Sequence, residues 1–179
     1  MISTIQFTQK KQGLANVNSY LLAAAFIVGN LILPQICHLI PNGGFILLPI
    51  FFFTLIASYK YGLVTGLMTA VLSPTLNFAF FGMPTAANLP IILAKSILLA
   101  VAAAMIAQRT GKLSIFTLIL VVLAYQIPGM LIEGLTTHSF AVATQDVHLG
   151  LPGILLQIVG GFFLLKWMGK RKTKKLIED

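Results

Sequence analysis

The chain has 179 residues, of which 58% are hydrophobic and only 9% are charged, and its mean hydropathy is +0.94. A soluble domain carries about 25% charged residues, so this composition excludes a soluble globular enzyme. One transmembrane helix takes roughly 20 apolar residues, and the length therefore leaves room for about six spans and two short tails. The formal net charge of +8 would suggest a nucleic-acid partner in a soluble protein, but here the charges flank apolar runs.

Six apolar segments follow one another along the chain, and we predict that they are helices because a backbone in lipid must satisfy its own hydrogen bonds. They cover about residues 20–39, 44–59, 61–80, 89–107, 114–137 and 150–168. The second segment contains Pro49 and covers only about 24 Å, so it is either tilted or partly re-entrant. We predict an all-α membrane protein with one six-helix domain at 20–168, an N-terminal tail at 1–19 and a basic C-terminal tail at 169–179.

The basic residues predict the orientation of these segments. Eleven of the 12 Lys and Arg residues fall on one side of an alternating six-span path. By the positive-inside rule that side is cytoplasmic, and both termini are predicted to lie there. The eleven are Lys10, Lys11, Lys60, Arg109, Lys112, Lys166, Lys170, Arg171, Lys172, Lys174 and Lys175. No aromatic interleaving accompanies the terminal cluster, which favours contact with anionic headgroups over nucleic-acid binding.

Small residues recur at four-residue spacing from the end of the second segment into the third: they are Ser58, Gly62, Gly66 and Ala70. The first segment carries Ala25 and Gly29 at the same spacing. Such stripes allow two helix backbones to approach closely, either within one protein or between partners.

Polar residues inside spans are costly and tend to face the interior or a wet cavity. With cytoplasmic termini, the amides and charges concentrate in the outer half of the predicted bundle. This asymmetry predicts a pocket that is open outward and closed toward the cytoplasm. The predicted substrate-binding residues are Lys95, Glu133, Asn77, Asn88, Gln126, Gln157, His38 and Asn42.

Apart from Lys166, two residues before the end of the last segment, Lys95 and Glu133 are the only basic and the only acidic residue within the predicted spans. Asn88 lies seven residues before Lys95, and Gln126 lies seven before Glu133, so each charge shares a helix face with an amide. The two charges either line a substrate site, paired or each holding a charged group of the ligand, or they have no binding role. In the second case Lys95 snorkels to the interface and Glu133 is interfacial.

The sequence carries no pattern with catalytic spacing: there is no His-Glu-x-x-His, Gly-x-Ser-x-Gly or phosphate-binding loop. The single cysteine, Cys37, and three histidines near the predicted outer boundary predict neither a metal site nor a cofactor. We therefore expect no enzyme activity. Any active transport must draw its energy from another chain or from an ion gradient.

A combination of features over the whole chain resembles the substrate-binding S components of energy-coupling factor (ECF) transporters. The features are the run Pro41-Asn42-Gly43-Gly44 continuing to Pro49, the run Tyr59-Lys60-Tyr61-Gly62-Leu63-Val64-Thr65-Gly66, the pair Ser73-Pro74, six spans in about 180 residues and basic inner loops. The family's small-residue docking motif in the first span would map to Ala25 and Gly29, with Gly29 in place of the second alanine.

The resemblance implies a subunit in a bacterial cytoplasmic membrane that captures a vitamin or related micronutrient from outside. It implies a pocket beneath the outer loops, and partners consisting of one transmembrane coupling subunit and two ATPases. Two other classes stay open: a small ion-coupled carrier with Lys95 and Glu133 as coupling groups, and a membrane scaffold.

Overall fold

The structure is a computed structural model that describes residues 4–10, 13, 15–139, 141 and 144–175. Lys11 and residues 1–3, 12, 14 and 176–179 of the predicted tails lie outside the described residues. In chain order the elements are β1 (Ile5–Gln6), α1 (Val17–Cys37), α2 (Gly43–Leu47), α3 (Pro49–Tyr61), α4 (Leu63–Phe81), α5 (Leu89–Thr110), β2 (Lys112–Leu113), α6 (Ile115–Thr137) and α7 (Gln145–His148). The last stretch runs through α8 (Leu151–Leu155), a π-helical turn (Leu156–Gly160) and α9 (Gly161–Lys175).

Among the described residues, five helices are long and apolar enough to cross a membrane: α1, α4, α5, α6 and the continuous stretch Leu151–Gly169. Their outward faces expose large apolar side chains at helical spacing, such as Val28 and Ile32 on α1 or Ile127 and Leu131 on α6. Such faces are stable against lipid and would aggregate in water. The chain is therefore an all-α, multi-pass membrane protein.

The second predicted segment is not a single helix. Leu48 adopts a left-handed conformation with φ of 44° and separates α2 from α3. Pro49 then occupies the first position of α3, where its missing N–H costs no hydrogen bond. With 13 residues, α3 is about 20 Å long. It lies in the centre of the bundle against α1, α4 and α5, so its apolarity serves burial within the protein.

A sharp reversal connects α3 to α4. Gly62 adopts φ of 92° and ψ of −173°, a conformation that favours glycine. A Cβ atom at Gly66 would lie only 2.2 Å from the Ser58 hydroxyl oxygen. The small-residue stripe of the third predicted segment therefore packs α4 closely onto α3 within this chain.

Residues 4–10, which the sequence assigns to a tail, pack against one end of the bundle. β1 pairs antiparallel with β2, with Ile5 opposite Leu113. Phe7 is 6% exposed, and its ring centroid lies 5.4 Å from that of Tyr59. The Gln9 side-chain amide donates to the carbonyl oxygens of Ser58 (3.1 Å) and Ala104 (3.3 Å). We call this the strand end, and the opposite end, which carries α2, the α2 end.

Candidate binding cavity

A cavity of about 370 Å³ lies at the α2 end of the bundle. Its wall combines the end of α1, the α2–α3 junction, the end of α4 with the following loop, the start of α5 and the end of α6. Six of the eight residues predicted to bind substrate line it: His38, Asn42, Asn77, Asn88, Lys95 and Glu133. The other two, Gln126 and Gln157, are not part of its wall.

Most of the remaining wall is apolar, and these apolar residues are not in the predicted substrate-binding set. Its main apolar members are Pro34, Leu48, Pro49, Ile50, Phe51, Met83, Pro84, Ile91 and Ile92. Apolar residues carry no distinguishing signal in a chain that is apolar throughout. Gln35 and Thr85 were also missed as members of the predicted set. Gln35 had a usable signal, because it lies one helical turn before His38 and thus on a neighbouring part of the same face.

The centre of the polar wall is an ion pair between Lys95 Nζ and Glu133 Oε2. Lys95 is 2% exposed and Glu133 is 14% exposed, so the lysine does not reach outward to solvent. The pair joins α5 to α6 across 38 residues of sequence. The two charges therefore lie together in the cavity wall and do not occupy separate positions.

Gly129 makes this pairing possible. It lies one turn below Glu133 on α6, and a Cβ atom there would lie 2.8 Å from Lys95 Cγ and 3.2 Å from its Cε. The aliphatic stem of Lys95 thus runs over a helix surface without a side chain. At the end of this track the Lys95 ammonium group contacts the Glu133 carboxylate.

Asn77 belongs to a buried polar network beneath the cavity. Its Nδ2 donates to the carbonyl oxygens of Asn30 (2.9 Å) and Ser73 (3.0 Å). Asn30 Nδ2 in turn donates to the hydroxyls of Thr54 and Ser73, both at 3.1 Å. This network ties α1, α3 and α4 together. Both amide hydrogens of Asn77 are used within the protein, which leaves its Oδ1 for a ligand.

Gln126 and Gln157 lie deeper than the cavity wall. Gln126 is 5% exposed, and neither atom of its side-chain amide has a hydrogen-bond partner among the described residues. Gln157 lies in the π-helical turn, and its Oε1 accepts from the Tyr125 hydroxyl at 3.0 Å. The ring of Tyr125 packs at 5.6 Å between centroids on Phe51, which lines the cavity. Gln157 is thus connected to the cavity wall through the rings of Tyr125 and Phe51.

The short helix α2 lies beside the cavity and is bounded by two residues with positive φ, Asn42 at 58° and Leu48 at 44°. The start of α8 fits closely against it: a Cβ atom at Gly153 would lie 2.5 Å from the Leu47 carbonyl oxygen. Gly153 thus lets the last span approach the α2 backbone directly. Leucine adopts the left-handed region rarely, so the conformation of Leu48 depends on this surrounding packing.

The two residues of the predicted docking motif, Ala25 and Gly29, lie in different environments. Ala25 is exposed on the outward face of α1. Gly29 is half-buried, and a Cβ atom there would lie 2.9 Å from two ring carbons of Phe53. The small size of Gly29 therefore serves packing of α1 on α3.

Within the described ranges, no group of three or more His, Cys, Asp or Glu residues could hold a metal ion. The Cys37 thiol is free and buried. Comparisons with protein-family models, with curated proteins and with solved structures found no match.

Proposed function

We propose that this chain is the substrate-binding subunit of an ECF-type importer that captures a small micronutrient from outside the cell. It delivers this molecule with a separate transmembrane coupling subunit and two ATPases. The resemblance of the sequence to S components supports this proposal. The observation that carries it is the 370 Å³ cavity, which lies at the end of the bundle opposite Lys10, Lys60, Arg109 and Lys112.

The charge distribution supports an outward-facing cavity. Lys10 and Lys60 adjoin at the strand end, where the Lys10 N–H donates to the Lys60 carbonyl oxygen at 2.8 Å. Arg109, in the last turn of α5, and Lys112, the first residue of β2, lie at the same end. Under the positive-inside rule the strand end faces the cytoplasm. The α2 end then faces outward, and its only described Lys or Arg is the paired Lys95.

Six crossings with cytoplasmic termini complete the proposed architecture. The α2–α3 segment provides the second crossing, even though α3 covers only about 20 Å of a hydrocarbon core of roughly 30 Å. A short helix is tolerated there because α3 is shielded from lipid by its neighbours. Because this second crossing is short, the cavity can lie between the start of α3 and the outer surface of the membrane.

The cavity suits capture of a small molecule. Binding sites of this kind are concave and mostly apolar, with a few polar groups that fix the ligand's orientation. Here the apolar wall surrounds the Lys95–Glu133 pair and the neutral side chains of Asn77 and Asn88. No phosphate-binding loop occurs in the sequence, which fits a subunit that depends on separate ATPases.

The test combines retention of a ligand with uptake. The wild type, purified from cells grown in rich medium, should release one small molecule on denaturation, identified by mass spectrometry. Ile92→Trp fills the cavity and should abolish retention, whereas Ile97→Trp places the same side chain on the exposed face of the same helix and should not. Uptake in cells should require the coupling subunit and ATP hydrolysis.

An ion-coupled carrier is the second candidate, and the buried Lys95–Glu133 pair is the observation that favours it, because intramembrane charges often serve proton relays. Vesicles that contain this chain alone distinguish the two functions. Accumulation of the retained compound driven by a proton or sodium gradient would establish the carrier and contradict the ECF proposal.

A further inference from the structure

We infer that the cavity selects molecules that carry no charged group, and that the Lys95–Glu133 pair acts as a filter against both anions and cations. This inference rests on the proposed binding function, whose cavity it concerns. It differs from the simplest expectation for a site that contains a lysine and a glutamate, which is a ligand with complementary charges.

Over the described residues, the cavity wall carries no net formal charge from Lys, Arg, Asp or Glu. In the part of the chain that the structure describes, Lys95 and Glu133 are the only Lys, Arg, Asp or Glu residues that line the cavity. They bind each other, so their formal charges cancel. The third ionisable side chain of the wall, His38, belongs to the end of α1. A wall of this kind attracts neither sign of charge over a distance.

A charged ligand that binds one member of the Lys95–Glu133 pair must break the pair. An anion that took Lys95 as its partner would leave the Glu133 carboxylate without a cation in a largely buried position. A cation that took Glu133 would strand Lys95, which is 2% exposed. Removing one partner of a buried pair is strongly unfavourable because it leaves an uncompensated charge. Charged ligands therefore bear a penalty that an uncharged ligand avoids.

The rest of the cavity wall suits an uncharged ligand. Gln35, Asn42 and Asn88 provide neutral donors and acceptors, while Phe51 and Ile92 provide apolar surface. The volume of 370 Å³ is near the lower limit of ligand pockets, which is roughly 300 Å³. The chemical class that fits is a small, uncharged molecule with an apolar ring or chain and several amide-like or hydroxyl groups.

Three probes of nearly identical shape test this inference: benzamide is neutral, benzoate is an anion and benzamidine is a cation. Binding is measured with the purified full chain in detergent, by thermal shift and calorimetry, with each probe at up to about 10 mM, which detects millimolar affinity, and at the same pH for all three. Benzamide should bind the wild type at least tenfold more tightly than either charged probe. This comparison needs no variant.

Variants then convert the filter into a charged site. Glu133→Gln leaves Lys95 as the only charge and should shift the preference to benzoate by at least tenfold. Lys95→Met leaves Glu133 and should shift it to benzamidine. The double variant Lys95→Met with Glu133→Gln restores a neutral wall and should prefer benzamide again. Arg109→Met removes an exposed cation at the other end of the chain's fold and should change nothing.

Several outcomes overturn the inference. They are a wild type that binds benzoate or benzamidine as tightly as benzamide, single variants whose preference does not change, and a cavity that binds none of the probes. If the single variants fail to fold, the probe preferences of the wild type and of the double variant still test the inference. Failure of the proposed function is a separate outcome. If the chain prefers benzamide but its uptake needs no ATPases, the inference on charge selectivity stands and the ECF-type importer function is contradicted.

Discussion

The side-chain amide of Asn77 donates a hydrogen bond of 2.9 Å to the main-chain carbonyl oxygen of Asn30. That carbonyl would normally accept from the residue four positions later, but this residue is Pro34, which has no N–H. An asparagine on α4 therefore repairs the break that proline makes in α1. The repair lies directly beneath the cavity, since both Pro34 and Asn77 line it.

Replacing Asn77 by leucine should destabilise the fold. Asn77→Leu leaves the buried Asn30 carbonyl oxygen without its side-chain donor, a loss of about 1–3 kcal/mol. The melting temperature of the purified protein should fall accordingly. Asn88→Leu is the matched control, since Asn88 lines the same cavity but is exposed. If both variants melt alike, the repair of α1 contributes nothing measurable.

Replacing Gln126 by leucine should have the opposite effect. Both polar atoms of its side chain are buried without a partner among the described residues, and leucine has a similar size without that cost. Removing an unsatisfied buried amide is worth about 1–3 kcal/mol, so the melting temperature of Gln126→Leu should rise. Gln157→Leu serves as the comparison, because it removes the existing bond from Tyr125 and should bring less gain. A lower melting temperature for Gln126→Leu would mean that Gln126 holds a bound polar partner.

The docking prediction is best tested at Ala25. Ala25→Leu enlarges an exposed position on α1 and should leave the melting temperature unchanged, but it should reduce copurification of the proposed coupling subunit. Gly29→Leu must displace the Phe53 ring and should lose about 1–3 kcal/mol of stability through overpacking. Normal copurification with Ala25→Leu would show that the partner binds another face.

The N-terminal segment should contribute strongly to stability at the strand end. Phe7→Ala empties a buried site between Tyr59 and Lys60, whose Nζ lies 4.7 Å from the Phe7 ring centroid. Loss of a buried phenylalanine costs about 3–5 kcal/mol. Thr8→Ala changes an exposed neighbour and should have little effect. Hydrogen exchange at the end of α3 should accelerate in the first variant alone, and equal exchange in the two would contradict the packing.

The proposed topology is tested by labelling single cysteines with an impermeant thiol reagent. Cysteines at Asn42 and Met83, both exposed at the α2 end, should react from outside intact cells. A cysteine at Lys112, exposed at the strand end, should react only after permeabilisation. Lys60 is unsuitable because it is buried beneath Phe7. Labelling at position 112 in intact cells would show that the proposed orientation is inverted.

The hydropathy pattern predicted the membrane environment and the long helices correctly, because both follow from local composition. The predicted segment at about 89–107 corresponds to α5 (Leu89–Thr110), and the segment at about 114–137 corresponds to α6 (Ile115–Thr137). The second segment could not be resolved in this way. Its apolar run does not distinguish one helix from two pieces separated by Leu48, because the left-handed conformation of that leucine depends on tertiary packing.

The sequence by itself determined where charges and amides occur along the chain, and hence that Lys95 and Glu133 fall at similar depth in neighbouring helices. Only the tertiary structure decided that they bind each other, that Gly129 provides the track for the lysine stem, and that Gln126 lies outside the cavity wall. Depth and helix face are local quantities that follow from the rise and the period of one helix. Pairing across helices depends on how closely and at which rotation two helices pack, and that is set by side chains distant in sequence.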